Sequence, residues 1–259
     1  MSYETLLVEV SQDFVATITL NRPNQLNTFT TPLADELTRA LRDLDADAAV
    51  RVVRIKGAGK HFCAGIDVSE MSGKTAMELR AWIQRMETPL VTISEMHKPV
   101  IAQVHGVAAA NGAGLVAACD LAIAADTARI GLTAINVGLN CVGPVIPVSK
   151  SVGRKTALEM LLYGELLEAK EAQARGLINR VVPAEELDKA AYDWAVVLAQ
   201  KSPIAVQIAK RGFYVAADME YHKAFEYMNE VFARLCTTED AKEGAAAFME
   251  KRKPVWKER

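Results

Sequence analysis

The stretch PVIAQVHGVAAANGAGLVAACDLAIA, residues 99–124, decides the fold. Pro99 to Val104 has the short apolar run of a strand, and Gly106 to Gly114 is a loop of small residues. Leu115 to Cys119 is a short helix, and Leu121 to Ala124 is strand again. The same alternation extends outward. Phe14 to Leu20 is a strand with Phe14, Ile18 and Leu20 on one face, broken by a turn at Asn21-Arg22-Pro23-Asn24. Thr31-Pro32 reads as an N-cap followed by proline at the first helical position, and Leu33, Leu37, Leu41 and Leu44 then share one helical face. Val52 to Ile55 is a strand ended by Gly57-Ala58-Gly59, and a long helix runs from about Thr75 to His97. Short strands alternating with helices predict an α/β fold with crossover connections.

Beyond Pro183 the pattern is helical only. Glu185 to Lys201, Pro203 to Ala217, Glu220 to Leu235 and Asp240 to Lys251 follow one another with no strand between them. Lys201-Ser202-Pro203 is the best boundary, dividing a core over residues 1–200 from a helical segment over 201–259. Helices with few partners in their own chain need another surface, which points to self-association.

The chain has 259 residues, 51% of them hydrophobic, enough for one sizeable core. A formal net charge of -2 argues against general nucleic-acid binding but leaves room for a small phosphate-bearing ligand. The four cysteines form no C-x-x-C pair, as expected of reduced thiols. The N-terminus lacks a secretory pattern, and every apolar stretch is interrupted before it spans a bilayer. Cytoplasmic localisation, with no membrane partner, is the expectation.

Two loops are candidate sites. Gly59 to Asp67 lies between strand and helix, and either presents N–H groups to a ligand or is a connection with Gly65 at a turn and Asp67 as a cap. Gly106 to Gly114 either lets a ligand approach the backbone or packs a helix tightly on the sheet. Gly112-Ala113-Gly114-Leu115-Val116-Ala117 fits a dinucleotide-binding pattern, but it does not follow its strand directly, and Asp126 comes too soon after it. His61 and Cys63 with Asp67 lack the paired spacing of a zinc site. His97 and His105 have the look of structural residues. Lys251-Arg252-Lys253 is a solvated helix end or a phosphate contact.

In order along nearly the whole chain come Asn21-Arg22-Pro23 with Asn27, Phe62 to Asp67, and Lys98 to Ala102 running into Gly106 and the Ala/Gly loop. Cys119-Asp120, Gly164-Glu165, Ala169 with Ala172, Gly176 to Asn179 and Val181-Val182-Pro183 follow. This ordered set resembles the crotonase (enoyl-CoA hydratase/isomerase) family. Residues 136–141 and 251–256 are most similar to its less studied "enoyl-CoA hydratase domain-containing" branch.

The resemblance implies a spiral of ββα units with a C-terminal helical segment that builds trimers, often paired into hexamers. It implies lyase or isomerase chemistry on an acyl-CoA, with coenzyme A part of the substrate and no separate cofactor. The N–H groups of Ile66 and Asn111 become an oxyanion hole for a thioester enolate, Asn111 standing where a glycine is usual. The coenzyme A contacts fall on Ala64, Gly65, Ile66 and Asp67. Gly114 and Ala134 occupy the positions of the two glutamates of family hydratases, so standard hydration is not expected. Residues 137–142 carry no carboxylate either, where some isomerases have one. Asn140 and Cys141 remain, to orient a water and to move a proton, or merely to line the pocket. The alternative function is a catalytically silent acyl-CoA binder or scaffold subunit.

Overall fold

The computed structural model describes residues 3–258. The chain runs β1 (Leu6–Val10), β2 (Val15–Leu20), α1 (Thr31–Ala46), β3 (Val52–Gly57), α2 (Ala76–Glu95), β4 (Val100–Val104), β5 (Val107–Ala109), α3 (Asn111–Ala118), β6 (Leu121–Ala125) and β7 (Arg129–Gly131). It continues through α4 (Val145–Val152), α5 (Arg154–Tyr163), β8 (Leu167–Glu168), α6 (Ala169–Ala174) and β9 (Arg180–Val182). Four helices close it: α7 (Leu187–Ala199), α8 (Pro203–Ala216), α9 (Tyr221–Cys236) and α10 (Glu239–Met249).

The main sheet has the order β1-β2-β3-β4-β6-β9, and a small second sheet has the order β5-β7-β8. Within the main sheet only β1 and β2 pair antiparallel, across a tight turn. Its other pairs are parallel, and α1, α2 and α3 lie on the crossovers such pairs require. Parallel strands covered on both faces lose apolar–polar alternation, and all five residues of β4 are buried.

That rule corrects the reading of Phe14. The strand begins at Val15, and Val15, Ala16, Thr17 and Ile18 are all buried. Phe14 belongs to the turn, at φ 62°, with the Arg51 guanidinium 4.1 Å from its ring centre. The cap of α1 is likewise one residue earlier than its Thr-Pro signal suggests. Thr30 Oγ1 accepts from Leu33 N–H at 3.4 Å, while the Thr31 hydroxyl donates to Glu70 at 2.7 Å. Leu33, Leu37, Leu41 and Leu44 are buried together as their spacing requires. The Gly106–Gly114 loop resolves into β5 and the first turn of α3, because Ala and Gly suit either element and tertiary pairing decides.

Buried polar groups join the layers. The Arg54 guanidinium donates to Gln103 Oε1 at 2.8 Å and to the Asp188 carboxylate at 3.1 Å, pinning α7 to the sheet. Asp120 accepts from Val100 N–H at 2.7 Å, from Lys210 at 2.7 Å and from the Tyr214 hydroxyl at 3.0 Å. Lys210 also donates to the carbonyls of Ile93 and Lys98, so α8 is held against the junction of α2 and β4. Breaking one side of a buried ion pair leaves an uncompensated charge. Lys210→Met is expected to cost about 3–5 kcal/mol in urea unfolding. The double variant with Asp120→Asn should cost clearly less than the sum of the two single changes.

Candidate active site

The segment from Cys63 to Asp67 runs between two neighbours. On one side Cys63 N–H donates to Val107 O at 3.2 Å, and Ala109 N–H donates to Cys63 O at 2.9 Å. On the other, Phe29 N–H donates to Gly65 O at 2.8 Å, and Asp67 N–H donates to Phe29 O at 2.7 Å. A trans peptide sets its N–H opposite its C=O, and the chain has no cis bond among the described residues. With Gly65 C=O committed to Phe29, the Ile66 N–H points the other way, toward the Ala109–Asn111 turn. Gly65 holds φ +111°, and a Cβ there would come within 3.0 Å of Ala110 Cβ and 4.0 Å of Asn111 N. Glycine thus permits both the backbone angle and the close approach of the two loops.

Ala110 has φ 50° and ψ -115°, a conformation costly for a residue with a Cβ. Its N–H donates to Gly131 O at 2.9 Å, and its carbonyl accepts from Gly114 N–H at 3.0 Å to begin α3. Asn111 is the first residue of that helix, so its N–H has no partner within the helix. Pointing opposite to Ala110 C=O, it leaves the positive end of the helix. Sequence reasoning missed the strain at Ala110, which no alanine announces. Asn27, part of the Asn-Arg-Pro motif, supports the other loop. Its buried side chain donates to Ala58 O and His61 O, each at 2.9 Å.

Ala64, Ile66, Asn111, Ala134, Asn140 and Cys141 all line one cavity of about 580 Å³. That volume lies within the ordinary range for ligand sites. Gly65 and Asp67 are not part of its wall. Asp67 caps a short turn instead, accepting from Ser69 N–H at 3.2 Å and from the Ser69 hydroxyl at 2.6 Å, with Arg22 at 3.7 Å. Those hydrogen bonds, Ser69's foremost, hold its carboxyl below the usual range. The Asn111 side chain donates to Met86 O at 3.3 Å. Asn140 is exposed at the rim, whereas Cys141 is buried, and burial pushes its thiol up. A thiol in that state is a poor base at neutral pH.

Of the two residues that the resemblance sets against the family's glutamates, Ala134 lines the cavity and Gly114 does not. A Cβ on Gly114 would stand 2.7 Å from Pro144 Cβ and 3.1 Å from Leu90 Cδ2, so the loop before α4 fills the space. Gly112 packs as closely, a Cβ there falling 2.1 Å from Cys63 O. The tight-packing and ligand-facing readings of this segment therefore describe different residues of the same helix turn.

One carboxylate does line the cavity, and sequence reasoning passed over it. Glu87, on α2, is half-buried, and burial alone pushes its carboxyl up. It has no hydrogen bond or ion pair among the described residues. The available signal was a charged residue beside the apolar positions Ile83, Met86 and Leu90. The histidines have other work. His61 Nδ1 accepts from Val107 N–H at 3.2 Å, His105 Nε2 meets Gly59 O at 2.9 Å, and His97 meets Asp45 at 3.1 Å. Arg252 pairs with Glu243 and Glu250. No helix among the described residues is long and apolar enough to cross a membrane.

Residues 11–259 match the family model described as enoyl-CoA hydratase/isomerase. A probable enoyl-CoA hydratase, echA8, of Mycobacterium bovis is 36% identical over 260 residues, covering 100% of both chains. The crystal structure of an enoyl-CoA hydratase of Mycobacterium smegmatis is 37% identical, with a TM-score of 0.95, over 98% of this chain and 99% of that one. Human enoyl-CoA hydratase domain-containing protein 3 is 31% identical in its crystal structure, with a TM-score of 0.93, over 98% of this chain and 100% of that one. Likeness over the whole length, in sequence and in fold, has one meaning: the chain is a member of the crotonase, or enoyl-CoA hydratase/isomerase, family.

Proposed function

We propose that this protein is an acyl-CoA enzyme that stabilises a thioester enolate between the N–H groups of Ile66 and Asn111. The observation that carries this reading is their orientation. Each N–H opposes a carbonyl bound elsewhere, to Phe29 and to Gly114 respectively, and both residues line one largely apolar cavity. Loss of the α-proton moves negative charge onto the thioester oxygen. Fixed donors in a water-poor pocket stabilise that charge, and a single such donor contributes about 2.7–4 kcal/mol. Ala64 to Asp67 lie on the side proposed for coenzyme A, and lyase or isomerase chemistry is the reaction class.

Water addition by a glutamate pair is not available, since Gly114 and Ala134 supply no acid or base. General acid–base groups contribute about 10²–10⁴-fold each. Self-association, as a trimer or hexamer, is supported by Phe213, Phe225, Phe232 and Phe248, all more than half exposed on α8–α10. Exposed aromatic side chains of this kind suit an interface, and residues 201–259 are the proposed oligomerisation segment. The cysteines are free thiols, Cys236 exposed and the others buried, in keeping with a reducing cytoplasm.

Saturated acyl-CoA esters incubated with the protein in heavy water are expected to exchange α-protons. Gly65→Ala, which drives a methyl between the two loops, should reduce that exchange by at least about 10²-fold. Binding of acyl-CoA without any exchange identifies a silent binder, and absence of binding overturns the assignment. Crotonyl-CoA hydration should fall about 10²-fold or more below that of family hydratases. Gly114→Glu should not restore it, because Pro144 occupies the space; a large gain refutes that packing argument. Light scattering should give a mass of at least three chains, and a monomer at micromolar concentration removes the oligomer from the proposal.

A further inference from the structure

We infer that Glu87 is the proton-transfer group of this site, reached from helix α2 rather than from the loops that carry the family's glutamates. This rests on the enolate reading above. Three ionisable side chains line the cavity among the described residues: Arg80, Glu87 and Cys141. Arginine stays protonated, and the buried Cys141 holds its proton as a thiol. Glu87 is the one group there able both to take and to return a proton near neutral pH.

Its placement supports that task. The Asn111 side chain binds the carbonyl of Met86, the residue before Glu87, at 3.3 Å. The residue that offers the second oxyanion N–H is thereby tied to the helix turn that carries the carboxylate. On its other flank Glu87 lies over Gly143, where a Cβ would fall 1.6 Å from Oε1 and 3.0 Å from Oε2. A larger residue at 143 would make the carboxylate swing out of this position. Glu87 also borders a second cavity of about 540 Å³ on the far side of the Gly143 loop, a route for exchange with solvent.

One carboxylate suits an allylic shift better than water addition. With a 3-enoyl-CoA, the Cα–H bond breaks and its proton passes to a Glu87 carboxylate oxygen. The electron pair enters the conjugated dienolate, whose oxygen the two N–H groups hold. The same carboxyl then gives its proton to Cγ, the double bond moves to the 2,3 position, and the thioester carbonyl re-forms. Atoms and electrons balance with no co-reactant.

The test compares the wild-type protein with Glu87→Gln, Glu87→Asp and Gly143→Ala. The readouts are hexanoyl-CoA binding, α-proton exchange in heavy water, and conversion of 3-hexenoyl-CoA to 2-hexenoyl-CoA. Glu87→Gln keeps the shape of the side chain. It should retain binding within a few-fold and lose exchange and conversion by about 10²–10⁴-fold. Glu87→Asp should recover part of the loss. Gly143→Ala keeps Glu87 but makes its carboxylate swing aside, and should show a loss in the same direction and smaller in size. Exchange that persists at the wild-type rate in both Glu87→Gln and Gly143→Ala overturns the role of Glu87 while the enolate reading stands. Wild-type binding without exchange or conversion also overturns it, and failure of the wild type to bind hexanoyl-CoA overturns both.

Discussion

The hydrogen bond from Phe29 N–H to Gly65 O, 2.8 Å long, governs the site more than any side chain does. It sets the direction of a single peptide plane, and planarity sends the Ile66 N–H to the opposite side. Around that bond the Cys63–Asp67 segment is paired with Phe29 on one edge and with Ala108 on the other. Neither pairing extends into a full strand. Each supplies enough backbone hydrogen bonds to hold a loop with the definition of a sheet, while one amide stays uncommitted. The strained backbone at Ala110 completes the arrangement, turning the chain from β5 into α3 so that Asn111 presents its N–H to the same space.

The loop before α4 links two features that are far apart in sequence. Pro144 packs where a side chain at position 114 would have to stand, and the adjacent Gly143 lies directly beneath the Glu87 carboxylate. At 114 a larger residue would meet the rigid Pro144 ring, while at 143 it would make the flexible Glu87 carboxylate swing aside. A side chain at 114 would push the loop out and disturb the seat of Glu87. Gly114 and Glu87 thus meet the same loop in one packing solution. Under the proposed chemistry, that solution moves the acid–base group from the loop wall to the helix wall.

Buried polar residues outside the cavity hold this geometry. Asn27 bridges the carbonyls of Ala58 and His61, and so braces the loop leading to Ile66. Asp120, tied to Val100, Lys210 and Tyr214, joins the sheet to the helix that opens the C-terminal segment. Such groups are costly to bury and tolerable only when paired. Their pairing makes each of them specific for one relative placement of the elements they join.

The succession of strands and helices from Phe14 to Ala124, the four leucines of α1 and the run of helices beyond Pro183 were legible in the sequence, because periodicity and capping are local properties. Ile66 and Asn111 were singled out by resemblance of motifs and not by geometry. Phe14 was misplaced because two-sided burial removes the alternation on which a strand face is read. The segment 106–114 was taken as one loop because alanine and glycine carry no preference strong enough to separate strand from helix. Only the tertiary structure decided which way the Ile66 amide points, that Pro144 closes the space beside Gly114, and that Glu87 reaches the cavity. Each of these depends on contacts between residues tens of positions apart, and no local pattern in a chain encodes the distance between two such segments.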